Sequence, residues 1–286
     1  MNVAELNPQQ QARRAALHTL LRGYGRLAVA YSGGVDSAYL AWEAHEVLGD
    51  NMIAVLADSP SLPRTHLAHA TEFAAVHNIP LRVVHTAEMQ RAAYVANDST
   101  RCFHCKDELF ATMAGVLHEL DIATMAYGRN LDDNGDFRPG QRAAAMHHAV
   151  APLADAALNK ADIRALAHAA NLTVWDRPAS ACLSSRIEYG RPVTPEALQA
   201  IEMAEEHLHA LGFAQVRVRH HGDVARIEIE RSEMARALSL EILQRITVGV
   251  RAAGFAFVAI DTEGYRSGSM NVLLPAASLL VGIDAA

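Results

Sequence analysis

The sequence predicts an α/β fold: a parallel sheet wrapped by helices, followed by a second, smaller α+β domain. Three observations carry that reading. Short apolar runs alternate with amphipathic stretches through the first half of the chain. A glycine-containing turn joins the first apolar run directly to a helix. Beyond Tyr189-Gly190-Arg191-Pro192 the rhythm changes to short paired strands between longer helices. The expected domains are residues 1–189 and 190–286, and the length of 286 residues suits one large domain or a medium domain with a smaller companion.

A first helix is expected over about Gln9 to Gly23, with Ala16, Leu17, Leu20 and Leu21 on one face. Leu27 to Tyr31 reads as the first strand, and the helix after the glycine turn runs through Ala38 to Leu48, stopped by Gly49 and Asp50. Met52 to Ala57 is the second strand, and a helix from about Arg64 ends near Asn78 and Pro80. Leu81 to His85 is the third strand; a helix containing Leu109 and Leu117 precedes a fourth over Asp121 to Tyr127. Lys160 to Ala170 is helical, and Thr173 to Trp175 leads into Pro178 to Arg186. In the second domain, Thr194-Pro195-Glu196 opens a helix with a capping residue and a first-position proline. Val216 to His220 and Val224 to Ile229 form a hairpin around His221-Gly222-Asp223. Their alternation sends Val216, Val218, Ile227 and Ile229 to a core and Arg217, Arg219, Arg226 and Glu228 to the opposite face. A helix over about Glu233 to Ala253 and a strand near Phe255 to Ile260 follow.

Composition narrows the function classes. Hydrophobic residues make up 51% and charged residues 20%, a globular balance. Lys and Arg total 25 against 32 Asp and Glu, for a net charge of −7, so long nucleic acid is not an expected partner. Met1 to Arg14 is polar without a targeting pattern, and the apolar tail Val272 to Ile283 is too short to span a bilayer. Three cysteines, an odd number, do not suggest a secreted disulfide framework. Cytoplasm is the expected location, with no membrane partner.

The glycine turn carries the clearest chemistry. Ser32-Gly33-Gly34-Val35-Asp36-Ser37 links a strand to a helix. Glycines bring backbone N–H groups close to an anion, and the helix N-terminus adds favourable dipoles. Ser32 and Ser37 can donate hydroxyl hydrogen bonds, and Asp36 can hold Mg²⁺ on the phosphate side. No lysine follows the second glycine, which separates this loop from the Walker type used for γ-phosphoryl transfer. The run resembles the PP-loop of the ATP pyrophosphatase (adenine nucleotide alpha hydrolase-like) superfamily. That resemblance implies ATP cleaved at its α–β bond to adenylate a carboxylate or carbonyl oxygen. Asp58 and Ser59, ending the second strand, either contact the nucleotide or cap the next helix.

Cys102-Phe103-His104-Cys105 is a Cys-x-x-Cys pair, and Cys182 lies in Ser180-Ala181-Cys182-Leu183-Ser184-Ser185-Arg186. On spacing alone these thiols suit a [4Fe–4S] cluster with one open iron, a zinc site completed by His104, His147 or His148, or three independent thiols. Across almost the whole chain the sequence resembles the LarE family of sulfur transferases. The resemblance rests on Ser32 to Ser37, Arg138-Pro139-Gly140, Ala179 to Arg186, Tyr189-Gly190, Val216 to Ile227 and Tyr265-Arg266-Ser267-Gly268-Ser269-Met270-Asn271. It implies an ATP-dependent enzyme that converts the carboxylates of a pyridinium-3,5-dicarboxylate mononucleotide to thiocarboxylates for the nickel-pincer cofactor of lactate racemase. Its three-cysteine members carry a [4Fe–4S] cluster at positions like Cys102, Cys105 and Cys182, whereas one-cysteine members give up their own sulfur. It further implies a separate sulfur donor and a homo-oligomer.

Arg217 and Arg219 share one strand face at a spacing suited to phosphate or carboxylate, and Arg266 adds a third guanidinium. With the resemblance they read as a mononucleotide phosphate cradle; without it, a solvated arginine face serves as well. Arg186 is a candidate for stabilising phosphate charge or holding the substrate carboxylate. Glu205 is either a site acid or a solvent-facing helical one. Asp132, Asp133 and Asp136 beside Arg138 form an acidic loop, more simply a polar surface loop than a Mg²⁺ site. Competing readings are a PP-loop tRNA thiolase, an ammonia-using adenylating amidase, and an ATP sensor that turns nothing over.

Overall fold

The computed structural model describes residues 6–135, 139–178, 181–266 and 270. In chain order the elements begin with α1 (Pro8–Tyr24), β1 (Leu27–Tyr31), α2 (Val35–Leu48), β2 (Met52–Asp58), α3 (Arg64–Val76) and β3 (Leu81–His85). Next come α4 (Ala92–Val95), α5 (Arg101–Leu120), β4 (Thr124–Tyr127), α6 (Pro139–Met146), α7 (Pro152–Asp155) and α8 (Lys160–Ala169). The chain continues through α9 (Pro195–Ala210), β5 (Val216–His221), β6 (Val224–Ile229), α10 (Met234–Ala237), α11 (Leu240–Ala252) and β7 (Phe257–Ile260).

Packing separates two compact units. The first takes residues up to Ser59, Arg64–Glu88 and the stretch from Cys102 to residue 178; the second takes Pro60–Pro63, Met89–Arg101 and the described residues from Ala181 onward.

In the first unit four strands run parallel in the order β3-β2-β1-β4. Leu27 of β1 stands opposite Met52 of β2 on one side and Thr124 of β4 on the other. With neighbours on both edges and helices on both faces, every residue of β1 is buried, as a central parallel strand requires. Ala28, Val55, Phe110, Met113, Tyr127 and Ala143 share one core cluster, which brings α5 and α6 against the sheet. α1 starts from a capping box, Asn7 with Gln10, and Pro8 at its first position, and it buries Leu17 and Leu21. It packs on α2, where the buried Glu43 carboxylate accepts from Arg14, His18 and Tyr39. The fourth strand starts later than the expected Asp121, because Asp121 takes a positive φ of 51° in the turn that ends α5.

The second unit holds a three-stranded sheet of order β5-β6-β7. β5 and β6 are antiparallel, with Val216 opposite Ile229, and β7 joins β6 in parallel with Phe257 opposite Val224. Gly222 and Asp223 form the two-residue hairpin turn, Gly222 at φ 69°. A single helix over Glu233 to Ala253 is not what forms. Ser239 adopts extended backbone at φ −69°, ψ 142°, ending α10 and starting α11 as a separate helix. No helix among the described residues is long and apolar enough to cross a membrane.

Candidate active site

The glycine loop leaves the carboxyl end of β1, the end of a parallel sheet at which ligands bind. Gly33 has φ +76°, and a Cβ there would stand 2.8 Å from Ala70 Cβ, so backbone conformation and space both demand glycine. Gly34 is the N-cap of α2 with no side-chain cap, which leaves the first backbone N–H groups of a 14-residue helix directed at the loop. Ser37 Oγ ties the loop: it accepts from the Ser32 N–H at 3.1 Å, donates to the Gly34 carbonyl at 3.1 Å and lies 3.0 Å from Ser32 Oγ. Gly128, just past β4, allows close passage, because a Cβ there would lie 2.8 Å from the Ser37 nitrogen.

Asp36, in the first turn of α2, shows where charge concentrates. Its Oδ2 receives Lys160 Nζ at 2.7 Å and Asn130 Nδ2 at 3.3 Å, whereas its Oδ1 is buried with no hydrogen-bond partner among the described residues. Lys160 begins α8 behind the capping box of Asn159 and Asp162, and its side chain keeps 37% exposure. Neither Lys160 nor Asn130 is a site residue on sequence grounds. The only local signal is the position of Asn130 shortly after the carboxyl end of β4. In the acidic loop Asp132 is exposed and Asp133 buried. Asp132 Oδ2 accepts the Lys160 backbone N–H at 2.9 Å, and the buried Asp133 accepts that of Asn130 at 3.1 Å, so these carboxylates shape the loop. Asp136 and Arg138 lie outside the described residues.

At the end of β2, Asp58 accepts from Arg64 at 2.5 Å and faces His85 Nδ1 at 3.5 Å. The Ser59 hydroxyl is buried and donates to Glu88. Both residues stand at the same sheet edge as the glycine loop, engaged in local bonds.

Cys102, Cys105 and Cys182 form no disulfide with one another, and Cys102 is exposed while the other two are partly so. The pair opens α5 in the first unit, and Cys182 belongs to the second. Among the described residues no three His, Cys, Asp or Glu side chains are grouped as metal ligands. His147, an alternative ligand, faces Asp107 at 2.8 Å.

Around Cys182 the second unit directs arginines at backbone carbonyls. Arg186, 1% exposed, donates to the carbonyls of Ala181 at 2.6 Å and Cys182 at 2.9 Å and to Ser185 Oγ at 3.0 Å. Its other nitrogens meet both oxygens of Glu205, at 3.0 and 3.2 Å. The guanidinium expected to face phosphate is thus saturated within its own loop and α9. Glu205 is buried too, and it accepts the Val218 N–H on the outer edge of β5 at 2.9 Å. Arg219 donates to Glu228 at 2.6 Å and to the Ser185 carbonyl at 3.2 Å. Cys182 Sγ lies 3.0 Å from Ser184 Oγ.

The arginine face of the hairpin is therefore packed instead of solvated. Arg217, Arg219 and Glu228 are all buried, and Arg217 lies 5.3 Å from the Tyr265 ring centroid. Burial, and next the nearby Arg186, push the Arg217 guanidinium below its ordinary range. Arg266 is more open and pairs with Glu263 at 2.6 Å. Asp261 takes Arg226; burial works against its charge, but the Glu263 N–H and Arg226 outweigh it and hold the carboxyl below the usual range. Ser267 to Ser269 and Asn271 lie outside the described residues.

Sheet order, glycine loop and partly buried acid define the class first: an α/β enzyme built on a parallel sheet. No family model matches the chain. An uncharacterised protein of Synechocystis sp. is 39% identical over 249 residues, 87% of this chain and 93% of its own length. The pyridinium-3,5-bisthiocarboxylic acid mononucleotide synthase of Lactiplantibacillus plantarum is 31% identical over 274 residues, 93% of this chain and 96% of its own length. An uncharacterised protein of Methanocaldococcus jannaschii is 28% identical over 242 residues. The chain belongs to the LarE family.

Proposed function

We propose that this chain is an ATP-dependent sulfur transferase that adenylates the carboxylates of a pyridinium-3,5-dicarboxylate mononucleotide and converts them to thiocarboxylates, a step in making the nickel-pincer cofactor of lactate racemase. The observation that carries the reading is the Asp36 arrangement: a carboxylate at the phosphate-suited loop, with one oxygen on a lysine and the other buried without a hydrogen-bond partner among the described residues. An anionic oxygen in that condition suits a cation such as Mg²⁺. The identity with the Lactiplantibacillus plantarum synthase, over nearly the full length of both chains, supports the choice of substrate class.

In this reading Ser32, Gly33, Gly34 and Ser37 hold the phosphates of ATP, with Asp58 and Ser59 at the neighbouring strand end. Asp36 holds Mg²⁺ and Lys160 faces the pyrophosphate. A substrate carboxylate oxygen attacks the α-phosphorus, the bond to the bridging oxygen breaks, and pyrophosphate leaves with its electron pair. Arg217, Arg219 and Arg266 supply positive charge for the mononucleotide phosphate; burial of Arg217 strengthens its share of that field, while Glu228 offsets part of that of Arg219. Sulfur then attacks the acyl carbon and AMP departs. Three cysteine sulfurs are the donor chemistry a [4Fe–4S] cluster requires, and such a cluster, held by Cys102, Cys105 and Cys182, would supply sulfide when bound. Arg186 fixes the backbone on both sides of Cys182. The protein works in the cytoplasm, as a homo-oligomer, with a separate sulfur donor.

The test is incubation with ATP, Mg²⁺ and the dicarboxylate mononucleotide, following AMP, pyrophosphate and product mass. AMP and pyrophosphate in equal amounts, with oxygen replaced by sulfur in the product, are expected; ATP binding without either release overturns the reading. Cys182→Ala is expected to keep AMP release and lose sulfur incorporation. Iron, acid-labile sulfide and zinc measured after anaerobic reconstitution separate cluster from zinc: near four iron per chain is expected, and stoichiometric zinc without iron makes the cysteines structural.

A further inference from the structure

Asn97 and Arg101 hold a part of the second unit to which the proposed sulfur transfer assigns no role. Asn97 is 0% exposed and takes a positive φ of 56°, a backbone region in which asparagine is several-fold enriched. Its side-chain amide donates to the carbonyls of Glu188 and Arg191, both at 2.9 Å, and reaches that of Ile187 at 3.4 Å. Its backbone carbonyl accepts the Gly190 N–H at 3.0 Å. Four positions later, at the start of α5, Arg101 is 4% exposed. Its guanidinium donates to Asn97 Oδ1 and to the Ser184 carbonyl at 2.9 Å, with Cζ 5.6 Å from the Tyr189 ring centroid. Both polar ends of the Asn97 side chain are thereby used, and the segment from Ser184 to Arg191 is held along its length.

Two facts of chain order give this clasp its consequence. The held segment begins two residues after Cys182, and Arg101 is followed directly by Cys102. One pair of buried side chains therefore joins the lead-in of the Cys-x-x-Cys pair to the loop that carries the third cysteine. A planar fork with several fixed donors can meet two acceptors at once, which a lysine ammonium on a flexible stem does less well. We propose that Arg101, acting with Asn97, is a positioning residue for sulfur transfer, fixing the Cys182 loop within the second unit. The proposal rests on the reading that the three cysteines work together.

The test uses the full chain with Arg101→Gln and Arg101→Lys, each also made with Cys102→Ser and Cys105→Ser so that Cys182 is the single thiol. In metal-free protein, Arg101→Gln is expected to speed amide hydrogen exchange across residues 183–191 about tenfold while the 216–229 hairpin keeps its protection. Alkylation of Cys182 by iodoacetamide should rise by about the same factor, with Arg101→Lys between the two. After anaerobic reconstitution, Arg101→Gln should hold less than about half the wild-type iron and sulfide, with a changed electron-paramagnetic-resonance signal from what remains. Unchanged exchange and alkylation overturn the proposal. So does loosening spread equally over the hairpin, which would make Arg101 an ordinary support of the fold. Wild-type protein that takes up no iron defeats the cluster reading alone, and exchange and alkylation then still decide whether Arg101 positions Cys182.

Discussion

At the residue scale, Asp36 concentrates the question of catalysis. A buried carboxylate oxygen with no partner among the described residues costs free energy unless a cation or donor meets it, and Lys160 meets only the other oxygen. Asp36→Asn keeps the shape, removes the charge and is expected to reduce AMP formation to background; measured turnover near the wild-type value would remove Asp36 from the mechanism. Lys160→Met is expected to slow AMP formation by about a hundredfold, the scale of losing one preorganised donor to developing charge. Lys160→Arg should recover part of it, and the check is AMP release at saturating and limiting Mg²⁺. Asp36 was legible in the sequence because its loop is a contiguous run between a strand and a helix. Lys160 and Asn130 were not, because each meets Asp36 only once strands distant in sequence have paired. Arg186 stands out in the sequence as a candidate, while its closed set of partners depends on Glu205, nineteen positions along the chain.

At the element scale, α9 does more than cover the hairpin. β5 is an edge strand, and an edge N–H left without an acceptor is a liability. Glu205 reaches from α9 to the Val218 N–H and keeps the same oxygen on Arg186 Nε, so one carboxylate closes the strand edge and anchors the Cys182 loop. Glu205→Ala strands a buried guanidinium and an edge N–H together, and an expected loss of about 3–5 kcal/mol follows. Urea unfolding followed by circular dichroism measures it, and a loss below about 1 kcal/mol would place the Arg186 charge in solvent instead. The hairpin itself was readable from alternation around Gly222. Whether its arginine face met water or protein was not, since period-two alternation separates faces without saying what covers each one. The division of the 233–253 region into α10 and α11 escaped for a related reason: Ser239 breaks the helix through its own backbone angles, and the apolar spacing runs on across the break.

At the scale of the whole molecule, the second unit is not one stretch of chain. It takes Pro60–Pro63 and Met89–Arg101 as well as the residues from Ala181 onward. Leu183 N–H bonds the Ser61 carbonyl at 2.8 Å and Val193 N–H that of Val95 at 2.9 Å, so each insertion is pinned by backbone. Composition shifts mark a change of rhythm near residue 190 but carry no sign of short segments borrowed from earlier in the chain. A fragment of residues 190–286 is therefore expected to show no cooperative urea transition, although it contains the whole of the sheet β5-β6-β7. A sharp two-state transition of that fragment would show that the borrowed segments are dispensable.

The buried amide of Asn97, spread over three carbonyls about ninety positions away, also bears on inheritance. A single genetic crossover between two relatives anywhere from residue 98 to residue 186 gives the daughter chain an Asn97 from one parent and the carbonyls it must grip from the other. Exchange of this unit between lineages then succeeds only where both parents build the grip alike, or where all three segments travel together.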